Sequence, residues 1–137
     1  MAHDGQSLLG RRNSPASRGL AILVAWAGLC ALWNAYGAMQ ISMGGRALGP
    51  TATYAGAGLV ILIAIALLVT STRWPLICRT LAIVAGALAA WTIWNSFILD
   101  RNLWPSEFWR WAGIVLNGFG ILGAAMIALS NRQGSQA

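Results

Sequence analysis

The chain alternates four long apolar stretches with short polar or glycine-rich connections. The apolar stretches cover residues 19–39, 52–71, 80–98 and 111–129. Each has close to the ~20 residues that a helix needs to cross about 30 Å of hydrocarbon. A bilayer core offers no water to backbone groups, so a spanning segment must satisfy its own hydrogen bonds, which favours helix. The pattern predicts an all-α membrane protein with four transmembrane helices.

The first and third apolar stretches repeat one another without a gap. Both "RGLAILVAWAGLCALWN" (residues 18–34) and "RTLAIVAGALAAWTIWN" (residues 79–95) open on arginine and close on Trp-Asn. The second and fourth stretches end alike, in "LLVTSTR" and "MIALSNR". The pattern indicates a tandem repeat of a two-helix hairpin. Each hairpin crosses the membrane twice, so a pseudo-two-fold axis along the membrane normal would relate the copies.

The repeat and the arginines predict the organisation and orientation of the chain. Two repeats, residues 18–73 and 74–132, lie between tails of residues 1–17 and 133–137. With a cytoplasmic N-terminus, six of the nine arginines lie on the inner side: Arg11, Arg12, Arg18, Arg73, Arg79 and Arg132. The outer side keeps Arg46, Arg101 and Arg110, with Asp100 and Glu107 nearby. The positive-inside bias therefore places both termini in the cytoplasm.

Composition supports a membrane protein and argues against nucleic acid as a partner. The chain has 58% hydrophobic and 9% charged residues, whereas soluble domains carry about 25% charge. Its net charge of +6 comes from arginines at the ends of apolar stretches, not from a basic face. The compact, lysine-free chain with few loops predicts a bacterial inner-membrane protein.

An alternative interpretation makes residues 11–38 a cleaved export signal that begins with the pair Arg11-Arg12. However, Ser14 and Pro15 stand where apolar residues are expected after such a pair. The first apolar stretch also has an internal copy, which cannot be a signal. We expect the first helix to be retained.

Three asparagines are candidates for an intramembrane polar or ligand site. Asn34 and Asn95 end the repeated segments, and a helix over the sixteen steps from each arginine rises about 24 Å. They would lie near the outer boundary beside Trp33 and Trp94, and Asn117 near the middle of the fourth helix. The alternative is that tryptophan anchors the helices and each asparagine bonds a neighbouring backbone, at about 0.6 kcal/mol each.

Small residues predict close helix packing. Asn117 shares one face of the fourth helix with small residues, and a second small stripe lies on the third helix. The two stripes are Gly113, Gly120 and Ala124, and Ala82, Gly86 and Ala90. We expect them to pack against each other, the alternative being a face for a partner protein.

The connection "LDRNLWPSEFWRW" predicts a partner-docking surface, because aromatic anchors dominate interfaces. Its candidate docking residues are Trp104, Phe108, Trp109 and Trp111. The alternative is an interfacial aromatic belt in which Glu107 pairs with Arg110.

The inner arginines are candidates for binding anionic lipid headgroups. They are Arg18, Arg73, Arg79 and Arg132. The alternative is that their charge only sets the topology.

Catalytic and metal-binding signals are missing. The only histidine is His3, no predicted span carries a charged residue at mid-depth, and Cys30 and Cys78 are expected to be free thiols. No nucleophile–base pair or phosphate-binding loop stands out, so we expect neither an enzyme nor a cofactor.

Two two-helix units with tryptophan near the helix ends resemble the small bacterial membrane proteins built from SPW repeats. No Ser-Pro-Trp occurs, and "RWPL" and "LWPSE" come nearest, so no function is carried across. We expect a non-catalytic accessory, assembly or stabilising subunit that packs in the membrane against other subunits or itself. The alternative is a carrier or channel-like protein for a small neutral or lipidic solute.

Overall fold

The computed structural model describes residues 14–130, and the regular structure in that range is entirely helical. Its four long helices are α1 (Pro15–Ser42), α2 (Tyr54–Arg73), α3 (Pro75–Ile98) and α4 (Glu107–Ser130). A short 3-10 helix, Arg101–Leu103, precedes α4. All four long helices are long and apolar enough to cross a membrane. The predictions of an all-α chain and four candidate spans are confirmed.

The helices extend beyond the apolar stretches because polar residues cap or continue them. At the start of α1, the Ser14 hydroxyl oxygen accepts a hydrogen bond from the Ser17 N–H at 3.2 Å, and Pro15 takes the first helical position. Residues 15–17, predicted as tail, are therefore helical. After α1, Gly44 adopts a φ of 77°, the left-handed conformation that commonly ends a helix.

A single residue separates α2 from α3. Trp74 has φ −135° and ψ 74°, outside the helical region, and Pro75 is the first residue of α3. A proline disfavours helical geometry in the residue before it, so the break falls at Trp74. The predicted polar gap of residues 72–79 is thus almost wholly helical.

The helices form a ring in chain order. Contacts are richest where α4 packs against α1 and α3 and sparsest between α2 and α3. The fully buried side chains Leu23 and Leu67 lie at the centre of the bundle, with alanines of α3 around them. A Cβ added to Gly86 would lie 2.7 Å from the Cβ of Ala124, so α3 and α4 approach closely there.

The predicted small-residue stripes are only partly paired. Gly86 of α3 meets Ala124 of α4 as expected, but Ala90 is exposed. The prediction for Ala90 was wrong, because the buried face continues through Ala89 instead. Gly120 packs against the indole of Trp26 on α1, so the small residues of α4 pack against both α3 and α1.

The two ends of the bundle differ in charge. The end where α1 begins, here called the N-terminal end, carries three described arginines and no described acidic residue. The opposite end, here called the aromatic end, has three arginines and two acidic residues: Arg46, Arg101, Arg110, Asp100 and Glu107. Arg11, Arg12, Arg132 and most of both predicted tails lie outside the described residues. The tandem duplication, its pseudo-two-fold axis and the orientation stay predictions.

Candidate functional site

A cavity at the aromatic end

The three candidate asparagines line one cavity of about 250 Å³ at the aromatic end of the bundle. Asn34 comes from α1, Asn95 from α3 and Asn117 from α4, while α2 contributes Leu59 and Val60. The sequence placed two of these asparagines near the membrane boundary and one near mid-helix. The structure brings all three to the same space.

Asn117 forms the floor of the cavity together with Trp26. The Asn117 Nδ2 donates a hydrogen bond to the Gly113 carbonyl oxygen at 2.8 Å, and its Oδ1 accepts one from Trp26 Nε1 at 3.4 Å. Both side chains are buried. The amide group is thus held in one orientation, because its donor and acceptor sides are both engaged.

Asn34 fixes the connection that covers the cavity. Its Nδ2 donates to the Cys30 carbonyl oxygen at 2.8 Å, and its Oδ1 accepts from the Thr53 N–H at 3.3 Å. The Asn34 Oδ1 also lies 2.8 Å from where a Cβ on Gly56 would stand. The alternative interpretation, a hydrogen bond to a neighbouring backbone, therefore describes Asn34 well.

Asn95 differs from its counterpart because its side chain has no hydrogen-bond partner within residues 14–130. It is half-buried and lines the cavity. Two indole N–H groups, of Trp33 and Trp104, also lack an acceptor within that range. A Cβ placed on Gly49 would lie 3.5 Å and 3.6 Å from their Nε1 atoms, so both nitrogens converge on one spot at the rim.

These unpaired groups are accessible from the cavity. Among the described residues, no side-chain nitrogen or oxygen is both sealed from solvent and without a partner. Trp104 is only 6% exposed and is part of the cavity lining. The cavity thus offers one amide and two N–H donors to an occupant.

The cavity lining is uncharged. No Asp, Glu, His, Lys or Arg of the described residues lines it, and Cys30 is its only thiol. Within residues 14–130, no group of three His, Cys, Asp or Glu side chains could hold a metal ion. Such a site can hold a neutral molecule by hydrogen bonds and apolar contact, since buried polar groups need partners and there is no charge to balance an ion.

Residues of the aromatic connection and the arginines

The four candidate docking residues have different environments. Trp104 is buried in the cavity wall and is therefore removed from the docking surface. Trp109 is half-buried, in edge contact with Trp33 at 5.6 Å and with Phe108 at 5.2 Å between ring centroids. Phe108 and Trp111 are 69% and 50% exposed and remain available to a partner.

Arg110 anchors the start of α4. Its Nε donates to the Glu107 carboxylate at 3.0 Å, and its Nη1 donates to the Ser96 carbonyl oxygen at 3.2 Å. The pairing of Glu107 with Arg110, which the alternative interpretation predicts, is present. Arg110 also lies 5.3 Å from the ring centroid of Trp111, within the range of a cation–π contact.

Three of the four candidate lipid-binding arginines, Arg18, Arg73 and Arg79, are described, and they lie at the N-terminal end of the bundle. Arg18 and Arg73 are exposed, whereas Arg79 is half-buried. Arg132 lies outside the described residues. Cys30 and Cys78 are both buried free thiols, as expected.

Residues missed by sequence reasoning, and comparisons

The sequence predicts no role in the site for Trp26 and only a membrane-anchoring role for Trp33. A signal for Trp26 existed, because aromatic belts lie at the membrane boundaries and Trp26 falls well inside its span. Thr53 and Gly49 could not be assigned from sequence, since their roles depend on how the first connection folds over the cavity.

Comparison with protein-family models, curated proteins and solved structures finds no match to this chain. The resemblance to SPW-repeat proteins therefore gains no support. The cavity itself carries the functional argument.

Proposed function

We propose that the protein binds a small neutral or lipidic molecule in the cavity at its aromatic end and acts as a carrier or channel-like protein for it. The observation that carries this proposal is the convergence of Asn34, Asn95 and Asn117 on one uncharged cavity. Of the three, only Asn95 has a side-chain amide without a hydrogen-bond partner within residues 14–130.

The size and chemistry of the cavity favour a small ligand. Its volume of about 250 Å³ lies just below the ~300–1,000 Å³ of typical small-molecule pockets. Its wall combines aromatic rings with a few polar groups, the usual composition of such pockets. The Asn95 amide can donate and accept, while Trp33 and Trp104 donate only. A ligand with a hydroxyl or carbonyl group fits this set.

The packing of the helices supports entry from the lipid. Leu59, Leu88 and Trp91 line the cavity and are also exposed on the outside of the bundle. They belong to α2 and α3, which have the sparsest contacts of the neighbouring helices. An apolar molecule dissolved in the bilayer could therefore pass between α2 and α3 without crossing water.

The bundle below the cavity is closed. Beneath Trp26, the apolar core around Leu23 and Leu67 separates the cavity from the N-terminal end. A carrier would need this core to open, because in this arrangement it closes the cavity towards the N-terminal end.

Asn95→Leu tests the proposal, because leucine has a similar size but no hydrogen-bonding group. Asn102→Leu is the matched control, since Asn102 is exposed and lies outside the cavity lining. Each full chain is purified in mild detergent, and the small molecules it retains are extracted and identified by mass spectrometry. The wild type and Asn102→Leu should retain one compound that Asn95→Leu loses by about tenfold, the loss expected for a bond worth about 1.4 kcal/mol. Identical retention by all three chains would overturn the proposal.

The second candidate function is the accessory subunit predicted from the sequence. The exposed ring pair of Phe97 and Trp111, with centroids 6.2 Å apart, favours it together with exposed Phe108. These rings form an aromatic surface where α3 ends and α4 begins, beside the connection of residues 99–106. In this role the surface would bind another membrane subunit or a second copy of the chain.

A further inference from the structure

A second polar cavity, of about 550 Å³, lies at the N-terminal end of the bundle. It is far from the asparagine cavity and separated from it by the apolar core around Leu23 and Leu67. One guanidinium group and five hydroxyl groups line it: Arg79, Ser14, Ser17, Ser71, Thr72 and Ser130. No carboxylate of the described residues does so.

Among the described residues, Arg79 is the only charged group of the lining, and nothing in residues 14–130 neutralises it. It forms no ion pair or hydrogen bond in that range, although it is half-buried. Arg110, the buried arginine at the other end, uses Glu107 and the Ser96 carbonyl oxygen instead. The two described acidic residues both lie at the aromatic end. Arg79 therefore keeps its five N–H donors for an external acceptor.

One of the hydroxyl groups that line the cavity, that of Thr72, is available as a further hydrogen-bond donor beside Arg79. The Ser71 and Ser130 hydroxyls donate to carbonyl oxygens within their own helices, at 2.8 Å and 2.9 Å. The Thr72 hydroxyl has no partner within the described residues. Two helices begin and two end around this cavity, so their opposing dipoles largely cancel and Arg79 decides the sign of the charge.

We propose that this cavity binds a phosphate group through the guanidinium of Arg79, with the Thr72 hydroxyl as an additional donor. The planar guanidinium matches the oxygens of a phosphate with two parallel hydrogen bonds, and such charge-assisted bonds are stronger than neutral ones. The cavity lies at a helix end, where lipid phosphates are found when the bundle spans a bilayer. The phosphate can belong to an anionic lipid headgroup or to a free phosphate anion.

Substituting the arginines at this end one by one distinguishes a specific phosphate site from general electrostatic attraction of anionic lipid. A field attracts anionic lipid through each exposed or half-buried arginine alike, by about fivefold in affinity per residue. A site at Arg79 makes this residue different from Arg18 and Arg73, which are exposed and do not line the cavity. Neutral substitution of each arginine removes the same charge, so Arg18→Gln and Arg73→Gln are matched controls.

The experiment measures phosphatidylglycerol bound to the purified full chain by native mass spectrometry, with phosphatidylcholine as a reference lipid whose choline offsets the phosphate charge. Arg79→Gln should lower the affinity for phosphatidylglycerol more than about tenfold, and each control by about fivefold or less. Equal losses in all three variants would overturn the proposal, as would no loss in Arg79→Gln. If Arg79→Gln does not fold, Arg79→Lys replaces it, because lysine keeps the charge. Arg79→Lys should still bind phosphatidylglycerol more weakly than Arg73→Lys does. Equal affinities of these two variants would also overturn the proposal.

A second arm identifies the source of the phosphate. Inorganic phosphate is titrated into the lipid-free protein in detergent, and binding is followed by calorimetry. Binding that Arg79→Gln abolishes supports a site for free phosphate. Binding of phosphatidylglycerol alone, with the same dependence on Arg79, supports a lipid headgroup site. The asparagine cavity is unaffected by these substitutions, so failure of this proposal leaves the proposed function standing.

Discussion

Replacing Gly120 with alanine should destabilise the bundle at the floor of the asparagine cavity. A Cβ at this position would lie 2.8 Å from both Cε2 and Nε1 of Trp26, closer than side-chain contacts tolerate. Trp26 is buried in the core cluster, so shifting its ring would cost packing there and push the ring into the cavity that it lines. Its Nε1 also donates the hydrogen bond that orients Asn117, so the clash reaches the site itself.

The magnitude of this effect follows from three contributions. Overpacking a filled interior costs about 1–3 kcal/mol. Losing the bond between Trp26 and Asn117 adds about 0.6 kcal/mol, the average for hydrogen bonds between membrane helices. Alanine is the better helix former and returns about 0.5–1 kcal/mol. The expected net loss in the free energy of unfolding for Gly120→Ala is therefore about 1–3 kcal/mol.

Gly118→Ala is the matched control on the same helix. A Cβ at Gly118 would meet nothing within 4 Å, so only the helix-forming contribution applies and stability should rise by up to about 1 kcal/mol. Unfolding is followed by circular dichroism as sodium dodecyl sulfate is titrated into mixed micelles. Equal midpoints for the two variants would refute the packing of Gly120 against Trp26.

Two further predictions address orientation and partners. A reporter fused after Ala137 should indicate the cytoplasm and one inserted within residues 99–103 the outside, because of the arginine bias; reversed signals would reject this orientation. If the protein is an accessory subunit, Phe108→Ala with Trp111→Ala should weaken co-purification of its partner at least tenfold, whereas Phe119→Ala, on the same helix but away from the ring cluster, should not. Equal partner recovery with all variants would count against the aromatic surface.

The four helices could be predicted because apolar length alone determines a membrane span. Their ends could not, because capping and proline geometry decide them. With Ser14 as its cap, α1 begins at Pro15, four residues before the apolar stretch. Likewise α3 begins at Pro75, five residues before its apolar stretch and one residue after the end of α2. The polar residues between an apolar stretch and its cap have no signal in hydropathy, yet they continue the helix.

The candidate site could be predicted only in part, since residue type identifies a polar group but not its neighbours. Asn34, Asn95 and Asn117 were singled out as polar residues in apolar surroundings, and they do line one cavity. The sequence predicts a docking role for Trp104 because aromatic anchors dominate interfaces. Its burial depends on the fold of the connection between α3 and α4, which brings its indole nitrogen towards Gly49.

The difference between Asn34 and Asn95 supports the proposal that the cavity takes up an occupant. The two residues occupy equivalent places in the repeated sequence, but only Asn34 meets a folded connection, whose Thr53 N–H it binds. An unpaired amide in an apolar setting costs about 1–3 kcal/mol. Leucine at position 95 would avoid that cost. This cost of Asn95 is offset only if an occupant of the cavity, water or ligand, forms the missing hydrogen bonds. The indole nitrogens of Trp33 and Trp104, which have no acceptor within residues 14–130, need such an occupant in the same cavity.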